Sequence, residues 1–95
     1  MDDDAQPEER AHSNAAAALR RIAEAIGTTH VERVDRLRLR LALDELCEHR
    51  PDLKRTCERA FNLAATLSVV INSAERASMV QKLKDMIYAL AKACE

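Results

Sequence analysis

The apolar positions between Val34 and Leu46 fit two different periods. Leucines alternate with other residues from Arg36 to Leu43, which is the period of a half-buried strand. Wound as a helix, the same segment has two apolar faces, roughly 180° apart at about 100° per residue. The first face holds Val34, Leu37 and Leu41, and the second holds Leu39, Leu43 and Leu46. Such a helix is either buried on two sides or leaves one face for another molecule.

Elsewhere in the chain, apolar residues recur every three or four positions, which is typical of helices. Gly27, Pro7 and Pro51 are the only glycine and prolines, so the chain lacks the repeated turns of an all-β protein. Phe61 and Tyr88 are the only aromatic residues, and an aliphatic core of this kind suits helix-on-helix packing. The sequence therefore predicts an all-α fold, a compact four-helix bundle with short turns.

Four helices are predicted, at about 13–26, 30–50, 51–71 and 73–94. The first is capped by Ser13 or Asn14 and ends at Gly27. Thr29 and Glu32 have the spacing of a capping box and mark the start of the second helix.

The third and fourth predicted helices could in principle form one long rod. Pro51 suits the first turn of the third helix, and Asn72 with Glu75 forms a second capping-like pair. The apolar stripe of the third helix comprises Leu53, Cys57, Ala60, Phe61, Ala64, Leu67 and Ile71. Between the third and fourth predicted helices, the centre of the apolar stripe shifts around the helix by roughly 110° to 120° across Asn72 and Ser73. This shift favours a tight antiparallel hairpin.

Charge is unevenly distributed along the chain, whose net charge is -1. Five of the first ten residues are acidic, and we expect residues 1–12 to form a mobile, solvated tail. From Ala11 onward, 14 basic and 11 acidic residues remain, so the folded part is mildly basic. That balance permits a nucleic-acid or acidic-protein partner without demanding one.

Several functional classes are disfavoured by the sequence. There is no apolar run near 18 residues and no basic start to an apolar leader, so we expect a cytoplasmic protein without a membrane contact. Cys47 and His49 would point roughly 200° apart on a helix, so they cannot share a metal ion. No phosphate loop, nucleophile elbow or metal helix occurs. We therefore expect a non-enzymatic protein with no metal and no cofactor.

The interval from Ala23 to Gly27, with Ile22 and Ile26 apolar, resembles the first helix and turn of DNA-binding helix-turn-helix repressors. The resemblance covers about residues 19–37. It implies a dimeric transcriptional regulator whose recognition helix meets phosphates and base edges through Thr28, Thr29, His30 and Arg33.

Three interpretations of the leucine-rich segment remain open at this point. It is a central helix covered on both sides by its own bundle, a helix that joins a second chain, or a strand paired between subunits as in ribbon-helix-helix repressors. We favour the second, in a protein-interaction module of the adaptor, chaperone, immunity or inhibitor type that acts as a homodimer or on a partner protein. Its predicted contact residues are Val34, Leu37, Leu41, Arg33, Arg36, Arg40 and the off-stripe Tyr88.

Overall fold

The computed structural model describes residues 7–27 and 30–94, with side chains from Asn14 onward. Its four helices are α1 (Pro7–Ala25), α2 (Arg33–His49), α3 (Lys54–Thr66) and α4 (Ser73–Ala93). A single 3₁₀ turn, Pro51–Leu53, joins α2 to α3. The described residues contain no strand, which confirms the all-α prediction and shows that the strand interpretation of residues 34–46 is wrong.

The helices pack in a ring in which each contacts its two neighbours. α1 lies against α2 and α4, and α3 lies against the same two helices, so α2 and α4 are diagonally opposite. Short connections make successive helices antiparallel, as in an up-down-up-down bundle. The largest fully buried side chains come from three of the four helices: Leu19, Leu39, Leu46, Val80, Leu83, Ile87 and Leu90. α3 contributes small buried residues instead, Cys57, Ala60 and Ala64, which let it approach its neighbours closely.

α1 begins at Pro7, earlier than the predicted start at Ser13 or Asn14, both of which lie within the helix. Proline suits the first turn of a helix, because its missing N–H needs no partner there. The predicted tail, residues 1–12, therefore overlaps α1 from Pro7 onward, while residues 1–6 lie outside the described part. The predicted end is confirmed, because the last helical hydrogen bond joins the Ile26 amide to the Ile22 carbonyl.

α2 starts three residues later than predicted. Its N-cap residue is Glu32, whose side chain makes no capping hydrogen bond, so the proposed Thr29 cap does not mark the helix start. Thr29 itself lies outside the described residues. Asp35 is buried in the first turn of α2, where the backbone amides stabilise a carboxylate. The predicted end near His49 and Arg50 is confirmed.

α3 ends at Thr66, five residues before the predicted end, and Ile71 is 93% exposed rather than part of an apolar stripe. Three consecutive β-branched residues, 69–71, disfavour helix, and Asn72 has the extended backbone of an N-cap. The Asn72 side chain accepts a hydrogen bond of 2.9 Å from the Glu75 amide. The predicted hairpin between α3 and α4 is therefore confirmed.

Basic side chains that bind backbone carbonyls hold the two ends of the bundle. At one end, the Lys84 ammonium donates to the Ile26 carbonyl at 3.2 Å, and the Arg76 guanidinium donates to the Val70 carbonyl at 2.9 Å. At the other end, the Arg50 guanidinium donates to the Ala93 carbonyl at 3.0 Å. The Ile26 and Ala93 carbonyls lie at helix C-termini, where positive charge is favourable, and the Val70 carbonyl lies in the connection between α3 and α4. No helix among the described residues is long and apolar enough to cross a membrane.

The Arg50 guanidinium also binds the Asp52 carboxylate through two hydrogen bonds of 2.9 and 3.0 Å, which lower the pKa of Asp52. A carboxyl group with a lowered pKa in the folded state stabilises the fold above its unfolded pKa of about 4. That stabilisation disappears as the pH falls through the folded-state value. We expect Asp52→Asn to be less stable than wild type at pH 7 and equally stable near pH 2, as measured by urea unfolding. A constant difference between the two proteins at every pH would contradict this account.

The two faces of α2 should differ sharply in their contribution to stability. Leu39 is fully buried and Leu37 is 55% exposed. Leu39→Ala should lower the free energy of unfolding by about 2 to 5 kcal/mol because it leaves a cavity in the core. Leu37→Ala, the matched control on the same helix, should change it by less than about 0.5 kcal/mol. Denaturant titration followed by circular dichroism measures both, and similar losses for both variants would contradict the observed orientation of α2.

Candidate functional site

The outward face of α2 carries three aliphatic side chains, Val34, Leu37 and Leu41, which we call the α2 stripe. They are 49%, 55% and 70% exposed. Leu39 and Leu46, on the opposite side of the helix, are fully buried. At about 100° per residue, the stripe lies roughly 150° around the helix from the centre of the buried side. The interpretation of α2 as a helix covered on both sides by its own bundle is therefore wrong.

Shallow grooves flank the α2 stripe on both sides. The groove toward α1 has a volume of about 390 Å³ and is lined by Ala18, Arg21, Ile22, Arg38, Leu41, Ala42 and Glu45. The groove toward α3 has a volume of about 230 Å³ and is lined by Arg33, Arg36, Leu37, Arg40, Phe61 and Ala65. Leu41 borders the first groove and Leu37 the second. The stripe is thus a low ridge between two partly apolar depressions.

The predicted arginines lie along the α3 side of the stripe. Arg33 and Arg40 are exposed, whereas Arg36 is half-buried and its Nε has no hydrogen-bond partner among the described residues. The Arg40 guanidinium lies 5.5 Å from the centroid of the Phe61 ring, a distance typical of a cation–π contact. Its Nε also lies 4.0 Å from a carboxylate oxygen of Asp44. The structure thus places Arg33, Arg36 and Arg40 beside the α2 stripe, as the sequence predicts.

Charge changes sign along the outward face of α2. Its first half carries Arg33, Arg36, Arg38 and Arg40, and its second half carries Asp44, Glu45 and Glu48. Apart from the half-buried Arg36, all of these residues are exposed. The only acidic residue in the first half, Asp35, points into the bundle. The α2 stripe therefore starts in a basic environment and runs toward an acidic one.

Tyr88 is not part of this surface. It is 40% exposed on α4, the helix that lies diagonally across the bundle from α2. It shares the side of α4 that holds Lys84, one turn earlier, whose ammonium reaches the end of α1. The prediction that Tyr88 and the α2 stripe form one contact surface is wrong, because α1 and α3 separate the two helices.

The residues suggested by the helix-turn-helix resemblance are only partly described. Thr28 and Thr29 lie outside the described residues. His30 lies in the connection before α2, where its Nδ1 accepts a hydrogen bond of 3.2 Å from Arg76 and its Nε2 lies 3.4 Å from a Glu32 oxygen. Arg33 is the first residue of α2. The second helix thus begins later than in the helix-turn-helix motif. Of the two described residues of this set, Arg33 lies on that helix and His30 lies before it.

Two exposed aliphatic residues were not predicted from the sequence. Val69 and Ile71, in the connection between α3 and α4, are 75% and 93% exposed. Helical periodicity placed Ile71 on a buried stripe because it assumed that α3 continues. The run of β-branched residues before Asn72 is the signal that could have indicated the earlier helix end.

The cysteines lie in and beside the α2–α3 packing. Cys47, Cys57 and Phe61 all line a groove of about 360 Å³ between these helices. Burial, and then the neighbouring Cys47 thiol, raises the pKa of Cys57 to about 12, and burial also raises the pKa of Cys94. Within the described residues, no three His, Cys, Asp or Glu side chains come close enough to hold a metal ion. Cys57 and Cys94 thus have the environment of small core residues rather than of nucleophiles.

Comparisons with known proteins add no further candidate. No protein-family model, no curated protein and no solved structure matches the chain. The functional argument consequently depends on the positions and charges of the side chains themselves.

The burial of the thiols leads to a test of the helix packing. We expect iodoacetamide at pH 8 to alkylate the half-buried Cys47 in the folded protein, while Cys57 and Cys94 react only after unfolding. Mass spectrometry after proteolysis assigns the modified residue. Cys47→Ser supplies the control, because this variant should show almost no native labelling. Rapid labelling of Cys57 in the folded protein would contradict the observed α2–α3 packing.

Proposed function

We propose that this protein acts by binding another protein chain through the α2 stripe, as an interaction module rather than an enzyme. The observation that carries the proposal is the exposure of Val34, Leu37 and Leu41 along one face of a helix whose opposite face is buried. Single exposed aliphatic residues are common on protein surfaces. Three at helical spacing, bordered by grooves on both sides, are typical of a contact surface.

The surface is well suited to rigid docking. The buried face of α2 fixes the helix against α1 and α3, so the stripe keeps its shape without a partner. Full burial of one aliphatic side chain is worth about 1.5 to 3 kcal/mol, so covering the exposed parts of the three would contribute about 3 to 5 kcal/mol. The flanking arginines supply charge-assisted contacts and orientation. An adaptor, a chaperone, an immunity protein or an inhibitor would use such a surface.

A substitution within the stripe tests the proposal. Leu37→Asp should leave the fold intact, because Leu37 is exposed, and should abolish association by burying a charge in the contact. A photo-reactive amino acid at Leu41 should form a discrete cross-linked product, with a second copy or with a partner in the cell of origin. The same probe at Ser78, an exposed position on α4, should not form it.

Leu37→Asp should eliminate that product, whereas Ile71→Asp, which adds the same charge at an exposed aliphatic residue elsewhere, should leave it unchanged. Circular dichroism verifies that both variants are folded. Products that are the same from Leu41 and Ser78, or that survive Leu37→Asp, would overturn the proposal.

Duplex DNA binding is the competing function, and the exposed Arg33 at the start of α2 is the observation in its favour. DNA affinity would fall steeply with salt concentration and weaken in Arg33→Ala, because phosphate contacts release counterions. Leu37→Asp would leave DNA affinity unchanged only if the α2 stripe takes no part in DNA binding. The protein-binding proposal instead predicts that no duplex affinity is measurable at about 50 mM salt.

A further inference from the structure

We infer that the occupant of the α2 stripe is a second copy of this chain, packed with its α2 antiparallel across a two-fold axis near Leu41. The inference rests on the proposed function, because it names the partner of the same surface. Its basis is the order of charges along α2, which is self-complementary in one orientation.

On both sides of the stripe, arginine precedes a carboxylate. On the α1 side, Arg38 and Glu45 line the same groove. On the α3 side, Arg40 is followed by Asp44, with which it shares a weak ion pair. Arg40 and Asp44 are 65% and 72% exposed, and Arg38 and Glu45 are exposed as well, so all four side chains are available to a partner. Neither side has an exposed acidic residue in its first half, and neither side has a lysine or arginine in its second half, where His49 in the last turn is the one basic residue.

A two-fold axis perpendicular to α2 reverses the helix direction but keeps the α1 side of one copy against the α1 side of the other. Arg38 and Glu45 lie at nearly equal distances from Leu41, about 4.5 and 6 Å along the helix at 1.5 Å per residue. The axis therefore brings Arg38 to the level of Glu45 of the partner subunit. On the α3 side it brings Arg40 within reach of Asp44 of the partner subunit.

The same arrangement pairs the apolar residues. Leu41 meets Leu41 of the partner subunit at the axis. Leu37, one turn away, also lies beside Leu41 of the partner subunit. Arg33, near the end of the contact, comes to the level of Glu48 of the partner subunit.

Other occupants fit the charge order less well. A parallel second copy would place arginine against arginine and carboxylate against carboxylate along the whole contact. An acidic peptide would match the first half of α2 and be repelled by Asp44, Glu45 and Glu48. A nucleic-acid backbone along the helix would meet the same carboxylates about 5 to 10 Å beyond Leu41. The antiparallel copy is the occupant that matches both halves.

Charge reversal at one pair tests the inference. The wild type should be a dimer at about 100 μM by sedimentation velocity, a concentration at which micromolar contacts are populated. Arg38→Glu and Glu45→Arg should each raise the dimer dissociation constant by about tenfold or more, because each places like charges together twice. Arg55→Glu, the same charge change at an exposed α3 residue, should have no such effect.

Two rescue experiments distinguish the antiparallel pairing of Arg38 with Glu45 of the partner subunit from a general effect of charge. An equimolar mixture of Arg38→Glu and Glu45→Arg proteins should form a heterodimer, since each variant carries the charges that complement the other. The double variant R38E/E45R should restore the homodimer, because the pairs are exchanged but kept. Circular dichroism confirms that each variant is folded.

The outcomes separate this inference from the proposed function. A wild type that is monomeric at about 100 μM overturns the second copy as occupant, while a partner cross-linked from Leu41 still supports protein binding through the stripe. A dimer that Leu37→Asp dissociates but the charge reversals do not weaken overturns the antiparallel register and leaves the stripe as the contact. If the protein neither self-associates nor forms cross-links from Leu41, both the second-copy inference and the proposed function are overturned.

Discussion

The burial of one side of α2 is the constraint on which the rest of the structure depends. Like α4, α2 contacts α1 on one side and α3 on the other, and its side chains Leu39, Leu43 and Leu46 are buried in the core. Because the helix is a rigid cylinder, fixing these side chains inward fixes the opposite side chains outward. The exposure of the α2 stripe is therefore a direct result of core packing and does not depend on a loop or on a side-chain rearrangement.

The connections between helices reinforce the same orientation. Lys84 and Arg76, both on α4, bind carbonyl groups of the segments that precede α2 and α4. Arg50 joins the other end of α2 to the last turn of α4. Both ends of the bundle are thus closed by cations from other parts of the chain.

Helical periodicity was sufficient to predict the all-α fold, the number of helices and the two faces of α2. It also placed three arginines beside Val34, Leu37 and Leu41, as the structure does. Periodicity could not determine which face of α2 lies inward, because both faces are aliphatic and of similar size. That choice depends on long-range packing: the partners of Leu39, Leu43 and Leu46 are brought from distant segments of the chain.

Helix ends were the weakest part of the prediction, for local reasons. α1 extends back to Pro7, because glutamates that suit a solvated tail suit a helix N-terminus equally well. α3 stops before Ile71, because three β-branched residues and the N-cap at Asn72 outweigh an apolar residue at the right spacing. Tyr88 was joined to the α2 surface because a sequence does not indicate which helices are neighbours in a ring.

The separation of core and stripe on opposite sides of one helix also affects how this protein can evolve. Substitutions at Val34, Leu37 and Leu41 alter the outward shape while the buried leucines retain the fold. The outward surface can therefore change, or be redesigned, without loss of the scaffold. In related chains, we expect these three positions to vary independently of the positions that face the core.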